Sequence, residues 1–389
     1  MDYIKRLELL NCLVTGKYFW LYGAMILASF SACIVMKREY HIKNIILLSL
    51  LLTMFSCNSG NKHAKVDVIT DVKEQAIYGE VVIRGDDDLI LFGEIILLDS
   101  LLVLINDRRM YNYGSFFHVY DLSDFKKRYS FGNVGMGPED FITPLSFKSK
   151  RKDGKSFNID DLNQGRLSKI TIINDEIVVD AKTTISPLLY SFDMNLIHDT
   201  LYFGKKIGYP QGLYFKYNTV KDTLSWVDYP SAGRRDDMHE NYLLYYNKLC
   251  VSEKKEIAVV ALRYFNKILF FDSEGIVLKE LQIGEQEIYP LWNNSTSNVD
   301  STSRFCFCDI DITDKYIYCL WNGSKGSVKS ERIVFIFDWN YRCITTLKVD
   351  YPINSIKVSN DDAYMLSIVE DGTGLSNIVK YDLQPIWEK

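Results

Sequence analysis

Short apolar runs separated by turn residues recur along most of this 389-residue chain, and they limit what it can fold into. Runs of four to seven residues include residues 101–105, 257–262 and 316–320, and helical periodicity is almost absent after residue 70. Tyr and Phe number 26 and 21, and both suit a pleated, half-buried surface. Strands at intervals of about 8–12 residues are typical of sandwiches, barrels and propellers rather than of βαβ units. The sequence therefore predicts an all-β fold.

Many of these runs close on an aromatic or aliphatic residue followed by Asp or Asn. Such side chains hydrogen-bond to the backbone two residues on, so each phrase predicts a hairpin between neighbouring strands. Phe192-Asp193-Met194-Asn195 is one example, and the six phrases used for counting end at Asp121, Asp161, Asn218, Asp272, Asp338 and Asp382. Their spacing of 40 to 66 residues is in the range of propeller blades, each a four-stranded antiparallel sheet. We expect residues 67–389 to form a β-propeller of six blades, with five or seven as alternatives.

The region before residue 58 has the pattern of a targeting segment rather than of a folded domain. Basic residues precede an uncharged apolar run, residues 45–55, and Cys57 follows closely. This run is too short to cross the roughly 30 Å of a bilayer core as a helix. The pattern resembles a bacterial lipoprotein signal peptide with Cys57 as the lipidated residue. We therefore expect residues 1–57 to be a signal segment and the polar residues 58–66 to be a flexible tether.

A second apolar stretch, residues 18–35, leaves two interpretations open. It contains another lipobox-like string that ends at Cys33, and a natural signal peptide does not need two. Translation that begins at Met36 would make residues 1–35 an over-extended start. The alternative is a transmembrane helix over residues 18–36.

One loop points to a family. Residues 132–141 read Gly-Asn-Val-Gly-Met-Gly-Pro-Glu-Asp-Phe. This string resembles the GxxGxGPxEF loop of NHL-type and related six-bladed propellers, with Asp140 in place of the Glu. Together with the lipoprotein-like start, the chain is similar to the TolB-like six-bladed propeller lipoproteins of Bacteroides-type bacteria. Only one copy of the loop is clear, whereas NHL repeats carry it in several blades. From the residues themselves we expect a structural loop, in which Pro138 fixes the turn and Phe141 packs beneath it.

Histidine provides the hypothesis of a metal site. Some NHL-type propellers are metal-dependent lyases with histidines at the axial channel, so the resemblance implies His118, His198 and His239 as candidate ligands. They are widely separated in the sequence, and no zinc-type spacing supports them. The alternative is that they are isolated surface or hydrogen-bonded side chains. We expect no cofactor, and a metal only if the blades bring these histidines together.

Adjacent carboxylates are frequent but make poor catalytic pairs. Asp160-Asp161 and Asp361-Asp362 are examples, and neighbours on a strand point to opposite faces. We expect such doublets to lie in solvated turns. The sequence has no GxSxG motif, P-loop or dinucleotide-binding fingerprint, so it nominates no nucleophile.

Two segments rich in aromatic residues are candidate binding loops, one around residues 225–246 and one that begins at residue 291. Long loops on a rigid scaffold concentrate recognition, and Trp, Tyr and Arg are frequent anchors. The candidate binding residues are Trp226, Tyr229, Arg234, Arg235, His239 and Trp292. The alternative is that the aromatic residues pack between blades.

Charge and cysteine content narrow the setting. The net charge is −5, and −8 after residue 57, without a basic stripe, which argues against a nucleic-acid partner. Five cysteines follow Cys57, without a CxxC pair. We expect buried free thiols, with one disulfide between Cys306 or Cys308 and Cys319 as the alternative.

These observations lead to one leading hypothesis and one alternative. The leading hypothesis is a propeller in the cell envelope that is lipid-anchored to the outer membrane and faces the periplasm or the surface. It would bind a protein, peptide or glycan through its loops, and catalysis is the less favoured interpretation. The alternative is a metal-assisted lyase or hydrolase that acts at the central channel.

Overall fold

The computed structural model of the chain describes residues 66–70, 72–85, 92–106, 114–148, 154–183, 186–189, 191–206, 212–229, 242–325, 332–372 and 374–387. These residues form 28 β-strands and very little helix: a 3-10 turn at Ser186–Leu188, a helical turn at 242–244 and helix α1 (Gln384–Trp387). In this part of the chain, no helix has the length and apolar character needed to cross a membrane. The signal segment and Cys57 lie outside the described residues, so both remain predictions.

Apart from one two-stranded hairpin, the described strands form six sheets, which are the six blades of a β-propeller. Three short strands come first in the chain: β1 (Val66–Ile69), β2 (Glu74–Ile77) and β3 (Gly79–Ile83). From the channel outwards, blade 1 consists of β4 (Phe92–Leu97), β5 (Leu101–Asn106), β6 (Ser115–Asp121) and β7 (Lys127–Asn133). Blade 2 consists of β8 (Pro144–Ser146), β9 (Ser156–Asp161), β10 (Arg166–Ile173) and β11 (Glu176–Thr183). Blade 3 consists of β12 (Ser191–His198), β13 (Leu201–Lys206), β14 (Tyr214–Asn218) and β15 (Thr223–Trp226).

The remaining three blades use the first three strands of the chain as their outermost members. Blade 4 consists of β16 (Asn247–Ser252), β17 (Ile257–Leu262), β18 (Lys267–Phe271), β19 (Val277–Ile283) and β1. A two-stranded hairpin, β20 (Trp292–Asn293) and β21 (Asn298–Val299), precedes blade 5. Blade 5 consists of β22 (Phe307–Ile312), β23 (Tyr316–Trp321), β24 (Arg332–Asp338), β25 (Cys343–Val349) and β2. Blade 6 consists of β26 (Ser355–Val358), β27 (Tyr364–Glu370), β28 (Ser376–Asp382) and β3.

The hydrophobic core lies between the blades rather than within a single layer. Six clusters of buried apolar side chains fill the six interfaces between neighbouring blades, including the one between blades 6 and 1. A central strand such as β5 is therefore buried on both faces along its whole length. This explains why its sequence is continuously apolar rather than alternating. The prediction of six blades is confirmed.

The aromatic–Asp/Asn phrases mark one turn in each blade. The carboxylate of Asp121 accepts a hydrogen bond from the backbone N–H of Ser123 at 2.8 Å, between β6 and β7. Equivalent turns follow the third strand of blades 3, 4 and 5, at Asn218, Asp272 and Asp338. In blade 2 the turn at Asp161 follows the second strand instead. At Asp382 the predicted hairpin is absent: β28 ends there and is followed by α1, and the fourth strand of blade 6 is β3.

The prediction of a hairpin at Phe192-Asp193-Met194-Asn195 is wrong. These residues lie inside β12, where the pairing with β13 shifts register between Phe192 and Asn195. Asp193 has a φ of 46°, in the left-handed region that Asp tolerates better than most residues. The same turn-forming tendency of Asp therefore produces a β-bulge in this strand.

The N-terminal strap, meaning β1, β2 and β3, runs along the outer edges of three consecutive blades. β1 pairs in parallel with β19, β2 pairs in parallel with β25, and β3 pairs antiparallel with β28. Between β1 and β2, the backbone carbonyl of Lys73 accepts a hydrogen bond from the backbone N–H of Thr346 at 2.9 Å. The strap therefore covers edges that would otherwise present unpaired backbone groups.

The glycine-rich loop, residues 132–141, connects blades 1 and 2 as a structural element. Its Phe141 is fully buried, and its ring packs edge-on against Phe117 at 5.0 Å, as predicted. A Cβ atom at Gly137 would lie 2.6 Å from Oδ2 of Asp140, which accepts a hydrogen bond from the Gly137 N–H at 3.0 Å. The Arg166 guanidinium donates to the loop carbonyls of Gly137 and Pro138, both at 3.0 Å. These contacts explain why the loop contains glycines: its close backbone approach leaves no room for a side chain.

Candidate functional site

A central channel runs along the innermost strands and contains a cavity of about 180 Å³. Strands from blades 1, 2, 4, 5 and 6 contribute to its wall. Its ionisable lining residues are Glu94, Lys148, Lys248, Asp309, Asp311, Lys357 and Glu370. A cavity with so many charges close together requires that most of them be paired.

Two carboxylates on β22 organise this wall. Asp309 forms an ion pair with Lys148, and Asp311 forms one with Lys357 at 3.0 Å. The same two carboxylates also accept backbone N–H groups of β26 at 2.9 and 2.7 Å. Between blades 1 and 2, Glu94 accepts a hydrogen bond from the backbone N–H of Ser146 at 2.8 Å. Because each contact joins different blades, these charges hold the channel wall rigid.

The electrostatics of the wall follow from burial and pairing. Burial alone would lower the pKa of Lys148, but the Asp309 carboxylate outweighs it and raises that pKa well above its usual range. Burial raises the pKa of the nearby Cys250 thiol to about 12. Lys148 is therefore a permanent cation, and Cys250 is a neutral thiol at physiological pH.

The mouth face is the face of the ring at which the innermost strands begin. Lys205 lies there with only 1% of its side chain exposed, in an ion pair with Asp193 at 2.5 Å. Its ammonium also donates to the carbonyl of Asn247 at 3.2 Å and lies 5.3 Å from the centre of the Tyr246 ring. Burial tends to raise the pKa of Asp193, but Lys205 and Lys248 lower it below its usual value.

Arg263 is the second cation at the mouth face. Its guanidinium carbon lies 4.8 Å from the ring centre of Phe305, 5.3 Å from that of Tyr246 and 5.8 Å from that of Tyr264. Its Nε is buried without a hydrogen-bond partner among the residues that the structure describes. Lys248, half-buried in the channel wall, likewise forms no ion pair with a described residue.

The structure places the predicted binding residues in two groups. Trp226, Tyr229 and Trp292 are half-buried, and each packs against an interblade cluster. The Tyr229 ring lies 5.8 Å from that of Phe271, so most of its surface serves the core. Arg234, Arg235 and His239 lie outside the described residues.

Of the three candidate metal ligands, the two in the described part of the chain lie in different blades. His118 is buried in β6 of blade 1, with its ring nitrogens 2.8 Å from Asn106 Nδ2 and 2.9 Å from Ser130 Oγ. His198 ends β12 of blade 3 and contacts Thr200. His239 is not described. Within the described ranges, no group of three His, Cys, Asp or Glu side chains could hold a metal ion.

Two further expectations concern buried groups. The five cysteines after Cys57 are free thiols, as expected, and the alternative disulfide to Cys319 does not form. The prediction that acidic doublets are solvated is wrong for Asp160 and Asp161, which are buried in β9, and for Asp362, which is 1% exposed. Asp161 accepts the backbone N–H groups of Ile142 and Thr143 at 2.6 and 3.1 Å. It therefore anchors the start of blade 2 as well as its own turn.

Sequence reasoning did not find Lys205, Lys248 or Arg263. Lys205 lies near the end of β13, and nothing in the strand's sequence marks it as buried. Lys248 lies opposite Ala261, and Arg263 lies two residues beyond Ala261. Only the register of β16 and β17 shows that the two cations are neighbours. The site is therefore a product of the ring and not of a local motif.

Fold and channel together define the class of this protein as a six-bladed β-propeller. No protein-family model and no curated protein matches its sequence. Among solved structures, it is similar to a member of the DUF4221 family from Bacteroides vulgatus ATCC 8482, with a TM-score of 0.56 and 12% identity over 79% of this chain and 99% of that one. It is also similar to a Bacteroides fragilis NCTC 9343 protein named as an expected exported protein, with a TM-score of 0.54 and 10% identity over 82% of this chain and 99% of that one. At this level of identity the likeness concerns the fold.

Proposed function

We propose that this protein is a lipid-anchored binding module of the cell envelope, which takes a protein, peptide or glycan at the mouth face of its propeller. The observation that carries this proposal is the channel cavity of about 180 Å³, whose charged wall is fixed by contacts between blades. A rigid, polar cavity that opens on loops binds without paying for reorganisation. A relation to the TolB-like and NHL-like lipoproteins is part of the same proposal.

Exposed apolar side chains beside the mouth face support a macromolecular ligand. In the connection from blade 4 to blade 5, Tyr289 and Leu291 are 62% and 56% exposed. They precede Trp292, which starts the β20–β21 hairpin. Aromatic and apolar residues that remain exposed next to a polar cavity are typical of interaction surfaces.

The cell-envelope location is supported by the lipobox-like sequence at Cys57 and by the fold shared with a protein of expected export. It predicts that radiolabelled palmitate is incorporated into the chain when it is expressed in a Bacteroides-type host. The Cys57→Ala variant should lose the label, whereas Cys33→Ala should keep it. Equal labelling of wild type and Cys57→Ala would refute the anchor.

Ligand binding is tested with the full chain purified in detergent. Thermal unfolding is followed with peptide and glycan mixtures, and a ligand at 100 times its dissociation constant should add about 2.7 kcal/mol to the stability. Variants Tyr289→Ser and Leu291→Ser should weaken the response, while Ile276→Ser, an exposed residue in the β18–β19 turn, should not. A response that all three variants share would refute the mouth face as the binding surface.

A further inference from the structure

We propose that Arg263 and Lys248 form an oxyanion site at the mouth of the channel, which binds a carboxylate or phosphate group of the ligand. This inference rests on the proposed function of the mouth face as the binding surface. It follows from three features of the described residues: the setting of Arg263, the register of blade 4, and the local balance of charge.

Arg263 is held with its guanidinium against aromatic rings and without a paired acid. Phe305 and Tyr246 lie 4.8 and 5.3 Å from its guanidinium carbon. Its backbone is fixed by the N–H that donates to the carbonyl of Tyr246 at 2.8 Å. Stacking on rings leaves the N–H edge of a guanidinium available, and that edge matches the two oxygens of a carboxylate or phosphate. A stacked arginine is thus prepared for an oxyanion.

The register of blade 4 places Lys248 beside it. Lys248 pairs with Ala261 across β16 and β17, and Arg263 lies two residues beyond Ala261 on the same face. Diagonal neighbours of this kind are about 7–8 Å apart at the backbone, within the reach of two long side chains. Burial raises the pKa of the Cys308 thiol, and Arg332, Arg263 and Lys248 all lie close enough to lower it in part. Both cations therefore act on the same point of the mouth.

Three carboxylates near this pair already have lysine partners. Asp193 is bound by Lys205 at 2.5 Å, Asp309 by Lys148, and Asp311 by Lys357 at 3.0 Å. Neither Arg263 nor Lys248 forms an ion pair with a described side chain, although Lys248 lies close enough to Asp193 to lower its pKa. Two half-buried cations without an ion-pair partner among the described residues attract an anion more strongly than the same charges in open solvent.

The test measures binding of inorganic phosphate and of acetate to the full chain in detergent by isothermal titration calorimetry, at constant ionic strength with chloride as the reference anion. The double variant Arg263→Gln/Lys248→Gln should bind the preferred anion at least tenfold more weakly. The control variant Arg128→Gln/Lys254→Gln removes two exposed cations, one in β7 and one in the β16–β17 turn. It should bind like the wild type. Thermal unfolding and circular dichroism verify that each variant is folded.

The two anions distinguish the sources of the oxyanion. Binding of phosphate alone assigns the site to a phosphate group, and binding of acetate assigns it to a carboxylate. A second variant, Arg263→Lys, keeps the charge but loses the planar fork, and it should bind with intermediate affinity. No binding of either anion by the wild type, or equal binding by wild type and double variant, would overturn the inference.

The outcome is separable from that of the proposed function. Anion binding without any response to peptides or glycans would refute the proposed ligand class and leave the oxyanion site standing. A peptide or glycan that binds equally well to the double variant would do the reverse.

Discussion

Asp160 offers a sharp test of how burial controls stability in this fold. It is only 4% exposed, and its cross-strand neighbours in β8 and β10 are Leu145 and Leu167. No described residue donates a hydrogen bond to its carboxylate. Burial, together with the charge of Asp161, raises the pKa of Asp160 from 3.8 to about 7. The folded protein therefore keeps this group protonated where the unfolded chain has already ionised it.

The sign and size of the effect follow from linkage. Between pH 4 and 7 the folded state holds one proton more than the unfolded state, so stability falls as the pH rises through this window and levels off above it. The gap between the two pKa values corresponds to roughly 4 kcal/mol at most. Asp160→Asn has no charge to bury, so it should match the wild type near pH 4 and exceed its stability by roughly 3–4 kcal/mol at pH 8.

Urea unfolding monitored by tryptophan fluorescence at pH 4, 6 and 8 measures this difference, because other titrating groups cancel between the two proteins. Asp161→Asn is the matched control. It removes an acceptor of backbone N–H groups and should lose about 1–3 kcal/mol at pH 6 and at pH 8. If the stability difference between Asp160→Asn and the wild type were the same at pH 4 and pH 8, the reasoning would be refuted.

Three further predictions concern packing, pairing and thiol reactivity. Gly132→Ala should destabilise the protein by roughly 2–4 kcal/mol in urea unfolding, since φ is +73° and a Cβ would lie 2.5 Å from the Phe117 ring. Gly284 has a φ of +81° but open space around it, so Gly284→Ala should lose only about 1 kcal/mol. Equal losses in the two variants would contradict the steric argument. Asp309→Asn leaves the mostly buried Lys148 without its counter-ion and should cost roughly 2–4 kcal/mol, and Lys148→Met in the same chain should recover much of it. In the native protein at pH 8, iodoacetamide should leave the five thiols after Cys57 unmodified, as measured by mass spectrometry. Burial raises the pKa of four of them to about 12 and that of Cys319 well above its usual value. Rapid alkylation of Cys250 would contradict this.

The architecture was predictable because its signals are local. A strand buried between two blades must be apolar on both faces, and Asp121 or Asp272 forms its turn with the next few backbone N–H groups. The same signal failed at Asp193, where a bulge rather than a hairpin satisfies the left-handed residue. It also failed to show that Asp160 is buried, because exposure depends on which strand packs above it.

The candidate site was far less predictable, because its residues meet only after the ring has formed. Arg263 follows blade 4's second strand and Phe305 precedes blade 5, and nothing in their spacing announces that they stack. The aromatic residues predicted to bind a ligand, such as Tyr229, contribute much of their surface to the core. Sequence composition alone does not distinguish an aromatic residue that binds a ligand from one that packs in the core.

The N-terminal strap also determines the order in which the ring can be completed. Its last strand pairs with β28, and the backbone N–H of Gly85, just beyond it, donates to Asn377, 292 residues further along the chain. During synthesis, blades 4 and 5 must therefore wait with open outer edges, or recruit β1 and β2 early and hold β3 until the final strand emerges. Closing so long a loop carries an entropic penalty that is met only at the end of folding, which is typical of slow folders with high contact order. The pairing of β3 with β28, and not the folding of any one blade, is then the step that closes the ring.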